Sequence, residues 1–211
     1  MVLRAIGQVA PLVRLAVVAA ALPFLSACGS EPGLRPLPRD AVVLAFGNSL
    51  THGTGANPEE SYPSVLSRLI GREVINAGVP GEVTAAGLQR LPAVLDSVSP
   101  HLVVLCHGGN DILRKLDLRA AEANLVEMVT LIRARGAEVV LLGVPTPGLF
   151  LSPAEHYERI ADELSLPFDG EIVAELLGDA RFKSDTIHPN AAGYARLAQA
   201  VEAKLRSAGA I

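Results

Sequence analysis

Four short runs, Ala41 to Phe46, Glu73 to Ala77, Leu102 to Cys106 and Glu138 to Val144, constrain the fold of this chain more than any other feature in it. A strand with one face in water alternates apolar and polar residues. These runs, rich in Val, Leu and Ile, do not, so both of their faces must be covered. Between them, Ser61 to Ile70, Thr84 to Val98 and Leu118 to Arg135 place apolar residues at helical spacing, with Leu125, Val129 and Ile132 on one stripe. Strands and helices in alternation build βαβ units, and the expected fold class is α/β, a parallel sheet flanked by helices. After the fourth run come Pro145 and Pro147, a loop with Leu149, Phe150 and Leu151, and helical segments near 153–164 and 170–177. The last helix is expected from about Asn190 to Ser207, with Pro189 able to occupy its first turn.

Open α/β sheets bind ligands beyond the carboxyl ends of their strands. Three polar islands fall there: Gly47-Asn48-Ser49-Leu50, Gly78-Val79-Pro80-Gly81 and Gly108-Gly109-Asn110-Asp111. A fourth, Asp185-Thr186-Ile187-His188, precedes the last helix. A serine hydroxyl becomes a useful nucleophile when a base takes its proton and a third group orients that base. Asp185 and His188, three residues apart in a tight turn, can supply both functions to Ser49. An oxyanion then needs donors, and three are at hand: the backbone N–H of Ser49, that of Gly81, which has no Cβ to block approach, and the side-chain amide of Asn110. Asp111 reads as a helix cap, and His52 and His107 as structural or substrate-lining, since Ser49 needs one base. Gly53-Thr54-Gly55 is no dinucleotide fingerprint, because Pro58 stands where the third glycine would be.

Taken together, Ser49, Gly81, Asn110 and His188 resemble the four residues that name the SGNH, or GDSL-type, hydrolase superfamily. Asn76-Ala77-Gly78, Gly87-Leu88 with Arg90-Leu91-Pro92, Gly108-Gly109-Asn110-Asp111 and Ile187-His188-Pro189-Asn190 are similar to its bacterial thioesterase I, lysophospholipase and arylesterase branch. The resemblance runs from about Ala41 to Leu205. It implies a three-layer, flavodoxin-like fold, no cofactor, and hydrolysis of esters or thioesters through an acyl-serine intermediate. The Leu149-Phe150-Leu151 loop, after the fourth strand, suits packing into the core, while the resemblance implies that Leu149 and Phe150 line an acyl groove near Ser49. Asn48 departs from the Gly-Asp-Ser-Leu usual in this family; with Asp185 as the working carboxylate, residue 48 has only to shape the turn.

The N-terminus points to export. Met1 to Ala27 carries Arg4 and Arg14, no acid, and an uncharged run from Leu15 to Leu25, a signal-peptide pattern too short for the ~20 residues of a membrane span. Leu25-Ser26-Ala27-Cys28 resembles a bacterial lipobox, which implies acylation of Cys28, an anchor facing the periplasm and, with no Asp after Cys28, the outer membrane. The competing reading is an ordinary secretory signal. Residues 28–39, with Pro32, Gly33, Pro36 and Pro38, suit an extended tether, leaving 40–211 as one hydrolase domain. Loss of both arginines takes the formal charge from −4 to about −6, and no Lys/Arg cluster meets phosphates, which argues against nucleic acid. Cys106 lies in an apolar run and reads as a buried, inert thiol; the five histidines show no metal-binding spacing, so no metal is expected. The expected protein is a monomeric serine esterase acting on small-molecule or lipid esters. Alternatives are an O-acetylesterase on cell-wall or exported polysaccharide and a non-catalytic binding lipoprotein.

Overall fold

The computed structural model describes Met1 and residues 32–146 and 151–211, with residues 152 and 153 in backbone only. Apart from Met1, the expected signal peptide lies outside these residues, as do Cys28, Leu149 and Phe150. Strands β1 (Val42–Gly47), β2 (Glu73–Gly78), β3 (Leu102–Cys106) and β4 (Glu138–Leu142) arise from the four apolar runs. A two-residue ladder, β5 (Pro145–Thr146) with β6 (Ser152–Pro153), follows, and β7 (Phe168–Asp169) completes the main sheet. The sheet is parallel throughout, in the order β2-β1-β3-β4-β7. β1 and β3, at its centre, are apolar on both faces because both faces are buried.

The helices are α1 (Ser49–His52), α2 (Tyr62–Ile70), α3 (Thr84–Val98), α4 (Gly109–Leu113), α5 (Leu118–Ala134), α6 (Glu155–Leu164), α7 (Ile172–Gly178) and α8 (Ala191–Ser207). α2 packs on α8, and α3 on α5, so the sheet is sandwiched as a three-layer α/β fold. The expected stripe of α5 is buried as Leu125, Val129 and Ile132. Each fully buried aliphatic side chain of this kind contributes about 1.5–3 kcal/mol relative to exposure.

Three sequence expectations are corrected, and one strand, β7, was not expected. The fourth strand ends at Leu142 rather than Val144, because the chain turns at Gly143, whose N–H donates to Asp169 O at 2.8 Å, and leaves for the β5–β6 ladder. β7 carries no signal in the sequence, since two residues have no periodicity. The described part of the expected 28–39 tether packs on the domain: Leu34 and Leu37 are buried, their N–H groups donate to Ala208 O (2.7 Å) and Ala210 O (2.8 Å), and Arg72 donates to Leu37 O and Pro38 O. Pro189 lies outside α8, bridged to Lys183, and Asn190 caps the helix by accepting from Gly193 N–H at 3.0 Å.

Strand order reverses at β1, with β2 on one side and β3 on the other, and the crevice of such a sheet opens beyond the carboxyl ends of the two strands at that point. α1 leaves β1 there and α4 leaves β3. The first and third polar islands therefore face each other across the switch point.

Candidate active site

Asn48 builds the turn after β1. Its side chain is 2% exposed and its Oδ1 accepts from Leu50 N–H at 3.1 Å, capping α1. A neutral amide makes this bond without burying a charge, so Asn48 shapes the turn at the position where the resemblance places an aspartate. Ser49 then occupies the first position of α1, where an N–H has no acceptor within the helix. Gly47 admits the close approach of the end of β3 and of α1: a Cβ there would lie 2.1 Å from Cys106 O and 2.3 Å from Thr51 Oγ1.

The fourth island closes on itself. Asp185 Oδ1 accepts from the N–H groups of Ile187 and His188, both at 2.8 Å, and Oδ2 accepts from His188 Nδ1 at 2.8 Å. Partial burial would raise the Asp185 carboxyl, but these hydrogen bonds and the proximity of His188 hold it below its ordinary value. With Nδ1–H committed to Asp185, the network assigns a free lone pair to Nε2, which lies 3.0 Å from Ser49 Oγ. The carboxylate is half exposed (53%) and the imidazole largely covered (14%).

Two contacts hold the serine loop against the histidine loop. Tyr194 OH, on α8, donates to Thr54 O at 2.8 Å. Gly55, at φ +99°, lies so close to the second loop that a Cβ would meet Ser184 Oγ at 2.1 Å and Pro189 O at 2.7 Å. The Gly-Thr-Gly stretch thus serves close approach between loops.

Asn110 and Gly81 are joined through a buried network that the sequence reading missed. Asn110 Nδ2 donates one hydrogen to Glu82 O at 2.9 Å, leaving the other available. The Glu82 side chain, 6% exposed, accepts from Arg90 Nε and Nη2, both at 2.7 Å, and from His107 Nε2 at 3.0 Å. Because Gly108 N–H donates to His107 Nδ1 at 3.0 Å, the imidazole carries its proton on Nε2. Burial alone would push the Glu82 carboxyl up, yet the bonds from His107 and Arg90 and the arginine's charge outweigh it and hold it at about 2. Arg90 also donates to Gly47 O and Ala77 O and lies over the Phe46 ring at 4.0 Å. His107 is therefore structural, as is Asp111, which accepts from Thr84 N–H (2.9 Å) and Oγ1 (2.7 Å) and ties α3 to α4. The one sequence signal for this network was an acid directly after Gly81 together with the Arg90-Leu91-Pro92 motif.

Ser49, His188 and Asn110 line one cleft of about 70 Å³, whose walls include Leu50, Leu113, Val144, Leu151, Leu177 and Ile187. Gly81 does not line it; at φ +79° its carbonyl accepts from Arg114 Nη2 at 2.7 Å. His52 is exposed and lies outside the cleft. Cys106 is fully buried, which pushes its thiol up to about 12. Among the described residues no three His, Cys, Asp or Glu gather as a metal site.

A hydroxyl bonded to an imidazole that is itself held by a carboxylate is an arrangement recurring on unrelated folds, so geometry alone does not name a family. Comparison with known proteins does: residues 45–196 match the model of the GDSL-like Lipase/Acylhydrolase family. The chain belongs to this family. Within it, the chain is 32% identical over 174 residues to the esterase TesA of Pseudomonas aeruginosa, covering 76% of this chain and 85% of the relative. It is 28% identical over 157 residues to the thioesterase 1/protease 1/lysophospholipase L1 of Escherichia coli K12, covering 71% and 76%. The crystal structure of AlinE4, an SGNH-hydrolase family esterase, superposes with a TM-score of 0.62 at 33% identity over 82% of this chain and 98% of that one. This GDSL-family chain is accordingly a serine hydrolase.

Proposed function

We propose that Ser49 attacks the carbonyl carbon of a carboxylic ester or thioester, with His188 as base and Asp185 as the group that orients it. The observation that carries this reading is the continuous relay from Asp185 through His188 to Ser49 at one end of an apolar cleft. As Ser49 Oγ bonds to carbon, its proton passes to His188 Nε2, and the carbonyl oxygen becomes an oxyanion facing the N–H of Ser49 and the amide of Asn110, with Gly81, next to the Glu82 carbonyl that holds that amide, proposed to bring its N–H in as a third donor. Collapse breaks the bond to the alcohol or thiol, which leaves with the proton held by His188. The acyl-serine is then hydrolysed by a water that gives its proton to the same nitrogen. Preorganised donors of this kind carry the largest electrostatic share of such catalysis.

Aliphatic walls at Leu113, Val144, Leu151, Leu177 and Ile187 favour an acyl chain over an acetyl group, and Leu149 and Phe150 are proposed to extend them. The lipobox-like Leu25-Ser26-Ala27-Cys28 supports export as a periplasm-facing lipoprotein anchored through Cys28, and the lack of Asp just after it supports the outer membrane; the domain is proposed to act as a monomer. An exported enzyme meets lipid, aryl or acylated-sugar esters rather than acyl-CoA, and lysophospholipids fit that opportunity. The test is hydrolysis of an acetyl-to-octanoyl ester series, with fluorophosphonate labelling of wild type and Ser49→Ala. Activity rising with chain length and labelling lost in Ser49→Ala is the expected result; a peak at acetyl supports the O-acetylesterase reading instead, and a folded, unlabelled wild type ends the catalytic one. Phe150→Ala should penalise octanoyl esters far more than acetyl esters.

A further inference from the structure

Apart from Met1, six large apolar side chains among the described residues stand more than a third exposed, and five of them lie in segments that follow the carboxyl ends of strands or form the histidine turn, on the side of the sheet where the site opens. Val79 (41%) follows β2, Leu113 (42%), Leu116 (44%) and Leu118 (41%) span the end of α4 to the start of α5, and Ile187 (37%) lies in the histidine turn. The sixth, Leu69, is on α2. Interleaved with the leucines are Arg114, Lys115 and Arg119, all exposed. Asp117, which caps α5 by accepting from Arg119 and Ala120 N–H, offsets one of the three cations. Along the chain these three cations are diluted by leucines and do not register as a run; with Asp117 they leave the exposed stretch from Leu113 to Arg119 a net charge of +2 on a protein of formal charge −4.

Exposed apolar side chains clustered beside cations are the composition of surfaces that lie in a lipid interface, burying leucine among acyl chains while basic groups meet headgroup phosphates. We propose that this edge, centred on Leu113 to Arg119, docks on an anionic phospholipid bilayer. Two observations choose this occupant: the charge is complementary to anionic headgroups, and the apolar surface is continuous with the cleft, since Leu113 and Ile187 line both. The inference deepens the reading of Ser49 as the nucleophile of a lipid-ester hydrolase and rests on it for its purpose. A docked domain takes an acyl ester from the bilayer into the cleft along apolar side chains.

The chain contains no tryptophan, so a single one reports its own surroundings. Full-length chains carrying Cys28→Ser, which removes acylation, and either Leu116→Trp or Leu69→Trp are mixed with vesicles of phosphatidylglycerol and phosphatidylcholine or of phosphatidylcholine alone. Indole emission from the Leu116→Trp chain should shift to the blue with the anionic vesicles and be quenched by lipids carrying an acyl-chain quencher, while the Leu69→Trp chain should not respond. Each basic residue at an anionic surface contributes about 1 kcal/mol, about fivefold, so adding Lys115→Gln and Arg119→Gln to Leu116→Trp should raise the lipid needed for half the shift about 25-fold. Hydrolysis of a soluble butyryl ester should be unchanged in all of these variants. Active Leu116→Trp enzyme whose emission ignores anionic vesicles, or responds no more than that of Leu69→Trp, overturns the docking surface. Absence of soluble-ester hydrolysis in the parent chain overturns the catalytic reading instead, and the response of the Leu116→Trp chain still decides docking by itself.

Discussion

Replacing Glu82 by Gln tests the buried network with almost no change of shape. Three N–H donors, two from Arg90 and one from His107, converge on the two oxygens of a carboxylate that is 6% exposed. In the variant one oxygen becomes an NH2 group, which must face a donor from Arg90 or His107, and the arginine loses its buried counter-ion. Holding the carboxyl at about 2 instead of its ordinary 4.5 corresponds to about 3 kcal/mol of native-state stability at neutral pH. The sign follows from the depressed value: the contribution is complete above pH 4.5, where the unfolded chain is also ionised, and drains away between 4.5 and 2 as that chain takes up a proton the folded one refuses. Urea unfolding followed by circular dichroism should therefore place the Glu82→Gln midpoint roughly one to three molar below wild type at pH 7, given slopes of about 1–3 kcal/mol/M. The gap should narrow steadily as the pH falls below 4.5. Because Glu82 O also holds the Asn110 amide, kcat on a short ester should fall with little change in KM. Equal midpoints at pH 7, or a gap indifferent to pH between 6 and 3, would refute the reasoning.

Asn110→Ala removes one proposed oxyanion donor and should lower kcat by about 10²–10³ while KM stays near wild type, in steady-state assays with a butyryl ester. Gly55→Ala forces a Cβ against Ser184 Oγ and Pro189 O in a left-handed backbone conformation, so it should part the serine and histidine loops; slowed fluorophosphonate labelling with far-ultraviolet circular dichroism retained is the expected signature. Cys106, buried and with its thiol pushed up to about 12, should resist an aromatic disulfide reagent at pH 8 in the native protein and react on denaturation. Rapid native labelling would show that β3 opens.

Much of the site was legible because each island carries its own local chemistry. The run Asp185 to His188 is a closed turn whose hydrogen bonds join residues two or three apart, so spacing suffices to read it. Asn48 likewise acts on Leu50, two residues away. Glu82, Arg90 and His107 are different: they are separated by 8 to 25 positions and meet only because α3 crosses back over the sheet between β2 and β3. The acid after Gly81 and the Arg90-Leu91-Pro92 motif are each visible in the sequence, but nothing there joins them to each other or to His107. The loop-to-loop contacts of Gly55 and Tyr194 are longer still, and β7, with two residues, is too short to leave a period.

By itself the sequence determined the layers and the cast: unalternating strands demand helices on both faces, and their parallel connection places Ser49, Gly81 and Asn110 at one edge. Tertiary structure decided what those residues face. The 3.0 Å approach of His188 to Ser49 spans 139 positions, the exposed leucines and cations acquire a common edge, and His107 becomes a clamp rather than a base. Local pattern follows from covalent geometry and the hydrophobic requirement of each element, whereas a hydrogen bond between distant residues depends on how whole elements pack.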